Sequence, residues 1–195
     1  MSTSYVQDLF SKIPADSIES DWFEPWGKTL QLLFPGEHFV CTPPFPLQID
    51  ILPIQKDEDE TAPYTPFTIA FASYNPHQIV IYVDIKTRHA LHNPSERADA
   101  DARMRRRFSR YRKSNCASAY MTGVSAFGPR VAFYHFDRQK NDAAVLDLEK
   151  GSFYTAADTP PEGLWNIDLQ QGGLDILHAR LSSVVTHSVP NNTSF

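Results

Sequence analysis

Apolar residues recur three or four positions apart in four segments of the chain, which is the spacing of an amphipathic helix. Prolines bound two of these segments, because Pro14 follows the first and Pro25 suits the first turn of the second. In the third segment arginines cover most of the surface, and one face is apolar through Ala100, Met104, Phe108 and Tyr111. The pattern predicts four helices, over residues 3–13, 25–34, 95–113 and 170–187.

Short runs rich in β-branched and aromatic residues predict strands over residues 38–42, 46–54, 66–74 and 77–87. The last two runs meet at the turn signal Asn75-Pro76, so we expect them to form an antiparallel hairpin. Two more strands flank the turn at Phe127-Gly128-Pro129, and residues 143–150 indicate another. This order of helices and strands predicts an α/β or α+β domain, in which helices flank a central mixed β-sheet.

Composition favours one compact domain. The chain has 195 residues, 42% of them hydrophobic and 21% charged, which is ordinary for a globular protein with a core of its own. No run of 18 apolar residues is present and the N-terminal segment lacks the pattern of a secretory signal, so we expect an intracellular protein, cytoplasmic or nuclear. Cys41 and Cys116 are the only cysteines, and we expect them to be small core residues rather than a disulfide.

Charge is unevenly distributed. The net charge of −5 argues against a general polyanion binder, yet residues 103–113 hold seven of the 18 Lys and Arg residues and no acid. An acidic run, Asp57–Glu60, lies elsewhere in the chain. A basic helix on an acidic protein indicates a directed binding surface, and the alternative is a solvated helix face.

Two charged residues end an otherwise apolar strand. Because alternate residues of a strand share a face, Asp84 and Lys86 lie on the same side, about 7 Å apart, together with Val80 and Tyr82. The other face is entirely aliphatic. Asp50 interrupts a second apolar strand in the same way. Such charges are costly to bury unless they are paired or bound to a ligand.

Carboxylates and a lysine at strand ends have a chemical use. Carboxylate oxygens hold Mg²⁺ or Mn²⁺, hard cations that also bind phosphate oxygens. If the two strands are neighbours, Asp50 and Asp84 converge as metal ligands and Lys86 positions a water molecule for attack. The basic helix then supplies phosphate contacts from Arg103, Arg105, Arg107, Arg110 and Lys113. The alternatives are a structural ion pair for Asp84 and Lys86 and a turn or cap for Asp50.

This arrangement resembles the PD-(D/E)XK nuclease-like superfamily, in which an acid on one strand and an acid-x-Lys signature on the next form a metal site. Asp84-Ile85-Lys86 matches the signature and Asp50 matches the upstream acid. The resemblance implies a restriction-endonuclease-like core and Mg²⁺- or Mn²⁺-dependent hydrolysis of phosphodiester bonds. It also implies a glutamate from the first helix near the metal, here Glu24 or Glu19, although Glu24 also suits a helix cap.

The chain departs from that pattern in three places. Asp84 replaces the usual glutamate of the signature and is shorter by one methylene group. Ile49 stands where a proline precedes the upstream acid. Asp50 and Asp84 are 34 positions apart, a long separation that an additional strand would explain.

The chain is also similar to a family of proteins from basidiomycete fungi. The shared segments, in chain order, are PWGKTLQLLFP, QIDI, VDIK, RADADARMRRRF, GVSAFGPRVAFYHFD and LWNID. Together with the last helix, which LWNID begins, they cover roughly residues 25–187. The resemblance therefore implies one domain over residues 1–195, with a core at about 20–187 and a flexible tail at 188–195. It implies no activity of its own.

We therefore expect a metal-dependent nuclease acting on DNA or RNA. The rival hypothesis is a non-catalytic module of the same fold that binds nucleic acid or a protein through its basic helix. A site for a small phosphorylated or acidic ligand is a third interpretation. The sequence leaves open the choice between DNA and RNA, and a homodimer is compatible with it.

Overall fold

The computed structural model describes residues 3–34, 39–42, 67–71, 79–113, 117–137, 144–145 and 159–188. Within them the α-helices are α1 (Thr3–Ser11), α2 (Phe23–Leu33), α3 (Pro94–Lys113) and α4 (Gly173–Ser188). The strands are β1 (Phe39–Thr42), β2 (Phe67–Phe71), β3 (Ile79–Lys86), β4 (Ala117–Phe127), β5 (Arg130–Asp137), β6 (Ala144–Val145) and β7 (Ile167–Asp168). Short 3-10 helices cover Glu19–Trp22, Arg88–His92 and Glu162–Trp165.

The strands form one mixed sheet. Its order is β1-β2-β3-β4-β5-β6, and β7 also pairs with β5. Each described pairing is antiparallel except that of β3 with β4, which is parallel and is connected through α3. A parallel pair needs a crossover of this kind, because the chain must return to the same end of the sheet. The architecture is therefore α+β, with helices flanking a mixed sheet.

The four predicted helices and the hairpin of β2 with β3 are confirmed. Helix α2 begins two residues before Pro25, which places the proline inside the first turn, where its missing N–H is not needed. The predicted strand at 46–54 and the predicted tail from residue 189 onward lie outside the described residues. In the described part of the chain, no helix is long and apolar enough to cross a membrane.

One core cluster lies on the face of the sheet that α1, α2 and α4 cover. Ile81, Val83 and Ile85 of β3 contribute to it, and Phe10 of α1 packs edge-on against Trp26 of α2 with ring centroids 5.8 Å apart. Val80 belongs to this same cluster, so the prediction that it shares a face with Tyr82 is wrong. The pairing of β3 with both neighbours shifts register between Ile79 and Ile81, and such an irregularity interrupts strict alternation.

The second core cluster lies between the opposite face and α3. The predicted apolar face of α3 is confirmed for Ala100, Met104 and Phe108, which are buried, whereas the side chain of Tyr111 lies outside the described residues. Ala100, Met104 and Phe108 belong to the same cluster as five residues of the sheet and the segment near residue 165: Tyr82, Met121, Phe127, Tyr134 and Trp165. Because helices cover both faces of β3, every described side chain of that strand is buried, including the charged ones.

Helix α4 begins where its backbone touches the preceding turn. A Cβ atom on Gly173 would lie 2.6 Å from the carbonyl oxygen of Asp168, a contact with backbone that cannot move aside cheaply. We expect Gly173→Ala to lower the free energy of unfolding by about 1–3 kcal/mol, the usual cost of overpacking. Urea denaturation measures this, with Gly163→Ala as the control because a Cβ there meets nothing within 4 Å. Equal stability of the two variants would contradict the close approach.

Candidate functional site

Strand β3 ends with two charged side chains that are almost completely buried. Asp84 is 7% exposed and Lys86 is 8% exposed. Both form ion pairs with residues of α3, so they lie on the same face of the sheet, as strand alternation predicted. The pairing partners come from a single helix, because α3 follows β3 closely in the chain and crosses over its end.

Asp84 faces Arg103. The Asp84 Oδ2 atom lies 3.1 Å from Arg103 Nη2, and only about a tenth of each side chain is exposed. Arg103 Nε also lies 3.4 Å from Asp99 Oδ2, one helical turn back on α3. Burial disfavours the charged guanidinium, but the carboxylates of Asp84 and Asp99 outweigh it and raise the pKa of Arg103.

Lys86 is held by two acids of the same helix. Its Nζ atom donates hydrogen bonds of 2.7 Å to Glu96 Oε2 and of 2.7 Å to Asp99 Oδ2. Burial by itself raises the pKa of Asp99. The hydrogen bond from Lys86 and the positive charges of Lys86 and Arg103 outweigh that effect, so the pKa of Asp99 is below its ordinary value. Glu96 and Asp99 therefore bridge the buried site to solvent, since both are more than two-fifths exposed.

Glu19 is coupled to the same site through charge. It begins the 3-10 helix before α2, which packs against β3. Burial raises the pKa of its carboxyl group, the negative charge of Asp84 raises it further, and Arg103 and Lys86 offset part of the increase. Glu24 lies in the first turn of α2 and is exposed. Of the two glutamates that the resemblance allowed, Glu19 is the one whose pKa responds to the charges of the cluster, and Glu24 as a site residue stays a prediction.

The charges of this cluster do not cancel. Four carboxylates (Glu19, Asp84, Glu96 and Asp99) face two cations (Lys86 and Arg103), a formal sum of −4 and +2, or −2. Arg106 lies at the rim, 58% exposed and 3.9 Å from Asp99, and brings the sum to −1 if it is included. Asp84 Oδ2 also makes no hydrogen bond among the described residues, despite its ion pair. Excess negative charge and a buried carboxylate oxygen with spare acceptor capacity fit a divalent cation.

The metal ligands are only partly in view. Asp50 lies outside the described residues, so its convergence with Asp84 stays a prediction. Strands β2 and β4 occupy the two edges of β3 over Ile79–Val83. A strand that carries Asp50 therefore cannot pair with β3 over those residues. Among the residues that the structure describes, no group of three or more His, Cys, Asp or Glu side chains is arranged to hold a metal ion. Asp84 and Glu19 are therefore candidate ligands that need a further carboxylate.

The predicted phosphate-binding arginines mostly face the protein. Arg105 donates a 2.8 Å hydrogen bond to Asp101, which also accepts a 2.9 Å hydrogen bond from the hydroxyl of Tyr134. The guanidinium of Arg107 lies 4.8 Å from the ring centroid of Tyr82. Arg103 pairs with Asp84, as above, and the side chains of Arg110 and Lys113 lie outside the described residues. The 3.6-residue period of the helix makes this division inevitable, and phosphate binding by these residues stays a prediction.

Sequence reasoning missed the acids of α3. Asp99 and Arg103 are four positions apart, as are Asp101 and Arg105, which is the spacing of ion pairs along a helix. That spacing was a usable signal for both pairs. It gave no indication that Glu96 and Asp99 would reach Lys86, because that contact depends on how α3 lies over the sheet.

Cys41 packs against the first core cluster, as expected of a small core residue. Burial raises the pKa of its thiol to about 11. A thiol with so high a pKa is a poor nucleophile at neutral pH, which argues against thiol chemistry at this position.

Protein-family models, curated proteins and solved structures provide no match to this chain. The resemblances to the PD-(D/E)XK superfamily and to fungal proteins therefore stay predictions.

The pair of Asp84 and Arg103 is expected to be strongly coupled, since removing one partner leaves a buried charge uncompensated. We expect Asp84→Asn and Arg103→Met each to lower the free energy of unfolding by about 3 kcal/mol. The double variant should lose clearly less than the sum. Chemical denaturation of the wild type, the two single variants and the double variant measures the coupling between Asp84 and Arg103. The exposed pair of Asp8, on α1, with Lys12, just after it, is the control and should show no measurable coupling. Additive losses at Asp84 and Arg103 would contradict the pairing.

Glu19 is expected to destabilise the fold at neutral pH. Its pKa is higher in the folded chain than its ordinary value of 4.5. The unfolded state therefore ionises first as the pH rises, and stability is lost between the ordinary and the folded pKa. We expect Glu19→Gln to raise the free energy of unfolding at pH 7 and to leave it nearly unchanged at pH 4, measured with EDTA present. Glu24→Gln is the control, because Glu24 is exposed on the first turn of α2. A loss of stability in Glu19→Gln at pH 7 would refute the assignment.

Proposed function

We propose that the chain is a Mg²⁺- or Mn²⁺-dependent phosphodiesterase acting on nucleic acid, with a restriction-endonuclease-like core. The observation that carries the proposal is the burial of Asp84 and Lys86 side by side at the end of the central strand β3. Glu19, at the start of a separate 3-10 helix, is close enough for the charges of both residues to shift its pKa. In a strand otherwise built of aliphatic and aromatic residues, a buried acid and a buried lysine are costly unless they are paired or bound to a ligand.

The topology around β3 supports this proposal. β3 follows β2 as the second strand of an antiparallel hairpin, and α3 follows it and leads to the parallel strand β4. The superfamily resemblance requires a helix directly after the strand with the acid-x-Lys signature, and α3 begins eight residues after Lys86, at Pro94. The helix thereby covers the face on which Asp84 and Lys86 lie.

In this proposal Asp84 and Asp50 bind the metal, and Glu19 takes the place first assigned to Glu24. A bound divalent cation would supply an acidified water molecule and positive charge for the transition state of phosphodiester hydrolysis. The surplus of carboxylates over cations in the cluster favours such an ion. In this proposal a bound cation would also favour the ionised form of Glu19, which burial and the charge of Asp84 disfavour in the metal-free protein.

Lys86 orients the attacking water and places positive charge where negative charge develops on the phosphate. Its ammonium group donates one hydrogen bond to Glu96 and one to Asp99, and these two bonds fix it between β3 and α3. A side chain fixed in this way loses little further freedom when substrate binds.

Phosphate contacts come from the outer face of α3. Arg106 is added to the predicted set because it is 58% exposed and lies beside the rim of the site. Arg105 and Arg107 are held by Asp101 and Tyr82. Their main contribution in this proposal is to fix the helix.

The rival candidate is the non-catalytic module, and one observation favours it. Asp84 and Lys86 already have ion-pair partners within the protein, which is how a site that has lost its metal would satisfy its buried charges. Such a module binds nucleic acid or a protein through the exposed side of α3.

We expect the wild-type protein to cleave at least one of plasmid, single-stranded DNA, RNA and branched DNA in Mn²⁺, and EDTA to abolish the cleavage. Lys86→Met should reduce the rate by about 100-fold or more, since a positioned charge at the reacting group typically contributes that much. The variant should fold, because the partners it abandons, Glu96 and Asp99, are half exposed. Gel electrophoresis of the products, after circular dichroism has verified folding, provides the measurement.

Lys12→Met is the matched control, because Lys12 is also an ion-paired lysine but is exposed, just after the end of α1. It should cleave as the wild type does. Absence of cleavage by folded wild-type protein on all four substrates would refute the enzyme. If Arg106→Ser then weakens binding to those nucleic acids while Lys86→Met does not, the non-catalytic module is the better description.

A further inference from the structure

Trp22 carries a buried hydrogen-bond donor without an acceptor. Its side chain is completely buried, and its indole Nε1 atom makes no hydrogen bond to any residue that the structure describes. Such a donor is costly, and buried polar groups of native proteins are rarely left in this state. The neighbouring Trp26 is equally buried, but its Nε1 atom donates a 3.1 Å hydrogen bond to the carbonyl oxygen of Gly128. Since a phenyl ring at position 22 would avoid the cost, the indole indicates a ligand with an acceptor atom.

The turn between β4 and β5 brings Trp22 next to Arg88. A Cβ atom on Gly128 would lie 2.9 Å from Trp22 Cζ2 and 3.0 Å from Arg88 Cβ, so both side chains meet over one side of the turn. Cζ2 adjoins the ring carbon that is bonded to Nε1, so the edge of the indole that faces the turn lies next to its donor. Gly128 permits this approach because it has no side chain and a φ of +59°.

Arg88 is an exposed cation that forms no ion pair with the residues in the described ranges. It begins the 3-10 helix directly after β3. Arg130 flanks the same turn on the β5 side, but its guanidinium lies 3.7 Å from Asp168. Arg88 is therefore the arginine at this turn that is available to a ligand.

The backbone of the turn offers a ligand little. The amide of Gly128 already donates a 2.8 Å hydrogen bond to the carbonyl oxygen of Lys86, and Pro129 has no N–H group. Recognition at this place therefore depends on the side chains of Trp22 and Arg88.

Two acids precede Trp22 in its 3-10 helix, and both are engaged elsewhere. Asp21 accepts a 2.9 Å hydrogen bond from the backbone N–H of Ile18. The pKa of Glu19 responds chiefly to burial and to the charge of Asp84, so Glu19 belongs with the charged cluster at the end of β3. Neither acid supplies the acceptor that Trp22 lacks.

One anionic ligand would satisfy both side chains. A guanidinium and an indole N–H are donors only, and a phosphate group presents several acceptor oxygens to them. Its hydrogen bonds to the guanidinium are charge-assisted and therefore strong. We propose that Arg88 and the Nε1 atom of Trp22 bind one phosphate group at the β4–β5 turn. This site involves neither Asp84 nor a metal ion, and it does not depend on the proposed phosphodiesterase activity.

NMR of the indole N–H groups tests the proposal. The chain has three tryptophans, and the other two, Trp26 and Trp165, donate to Gly128 and to Ser125. Isotope-labelled protein is titrated with inorganic phosphate, and with sodium chloride at the same ionic strength as the control for screening. The Trp22 resonance, assigned by its loss in Trp22→Phe, should shift saturably with phosphate and more than the other two.

Arg88→Gln should weaken phosphate binding by about tenfold or more, because it removes the charged donor. The variant should fold, since Arg88 is exposed. Arg130→Gln is the matched control, because Arg130 flanks the same turn but pairs with Asp168. Its phosphate affinity should stay within about twofold of the wild type.

The nature of the anion is read from two further titrations. Acetate should bind more weakly than phosphate, and tighter binding of acetate would overturn the assignment of a phosphate site. Methyl phosphate then distinguishes the sources of the phosphate group. Affinity equal to that of inorganic phosphate, or higher, supports a phosphorylated ligand, and binding of inorganic phosphate alone supports the free ion.

Three results would overturn the site: a Trp22 resonance that does not respond to phosphate, an equal response to chloride, or the same affinity in Arg88→Gln as in the wild type. Trp22 Nε1 would then donate to a buried water molecule instead. Each of these results leaves the cleavage experiments with Lys86→Met unaffected, so the phosphate site and the phosphodiesterase fail or stand separately.

Discussion

Burial of Asp84 and Lys86 beneath α3 constrains much of this structure. Neither charge can leave water unless an opposite charge replaces the lost hydration. Helix α3 therefore must present a cation opposite Asp84 and an anion opposite Lys86, and it does so with Arg103 and with the pair of Glu96 and Asp99. This requirement fixes both the rotation of the helix about its axis and its position along β3, which apolar packing alone would define less sharply.

The apolar side of α3 depends on the same placement. When the charged positions face the end of β3, Met104 and Phe108 point into the second core cluster with Tyr134. One turn along, Asp101 accepts hydrogen bonds from both Arg105 and Tyr134, so a second buried acid is fully paired. Burial and the charge of Asp101 raise the pKa of Tyr134 well above its ordinary value, which keeps its hydroxyl a donor. Polar and apolar contacts therefore select one docking of the helix.

The ion pairs that stabilise α3 also limit what the site can do. A carboxylate with a close guanidinium is satisfied, and a lysine between two acids is anchored. Glu19 is the exception, because burial and the charge of Asp84 raise the pKa of its carboxyl group, and Arg103 and Lys86 offset only part of that increase. A residue that costs stability and faces a charged cluster is more easily explained by a ligand than by folding. The metal proposal accounts for this difference between Asp84, Glu96 and Asp99, which are paired with cations, and Glu19, whose ionised form is disfavoured.

The sequence by itself determined the local elements: four amphipathic helices, the hairpin of β2 with β3, and the alternation that places Asp84 and Lys86 on one face. Those features follow from periodicity over a few residues. It also contained the helical spacing of Asp99 with Arg103. The tertiary structure alone decided the parallel neighbour of β3, the shift of Val80 into the first core cluster and the coupling of Glu19 to the charges of Asp84, Arg103 and Lys86. Each depends on which distant segments meet, and contacts between residues far apart in the chain leave no periodic signal along it.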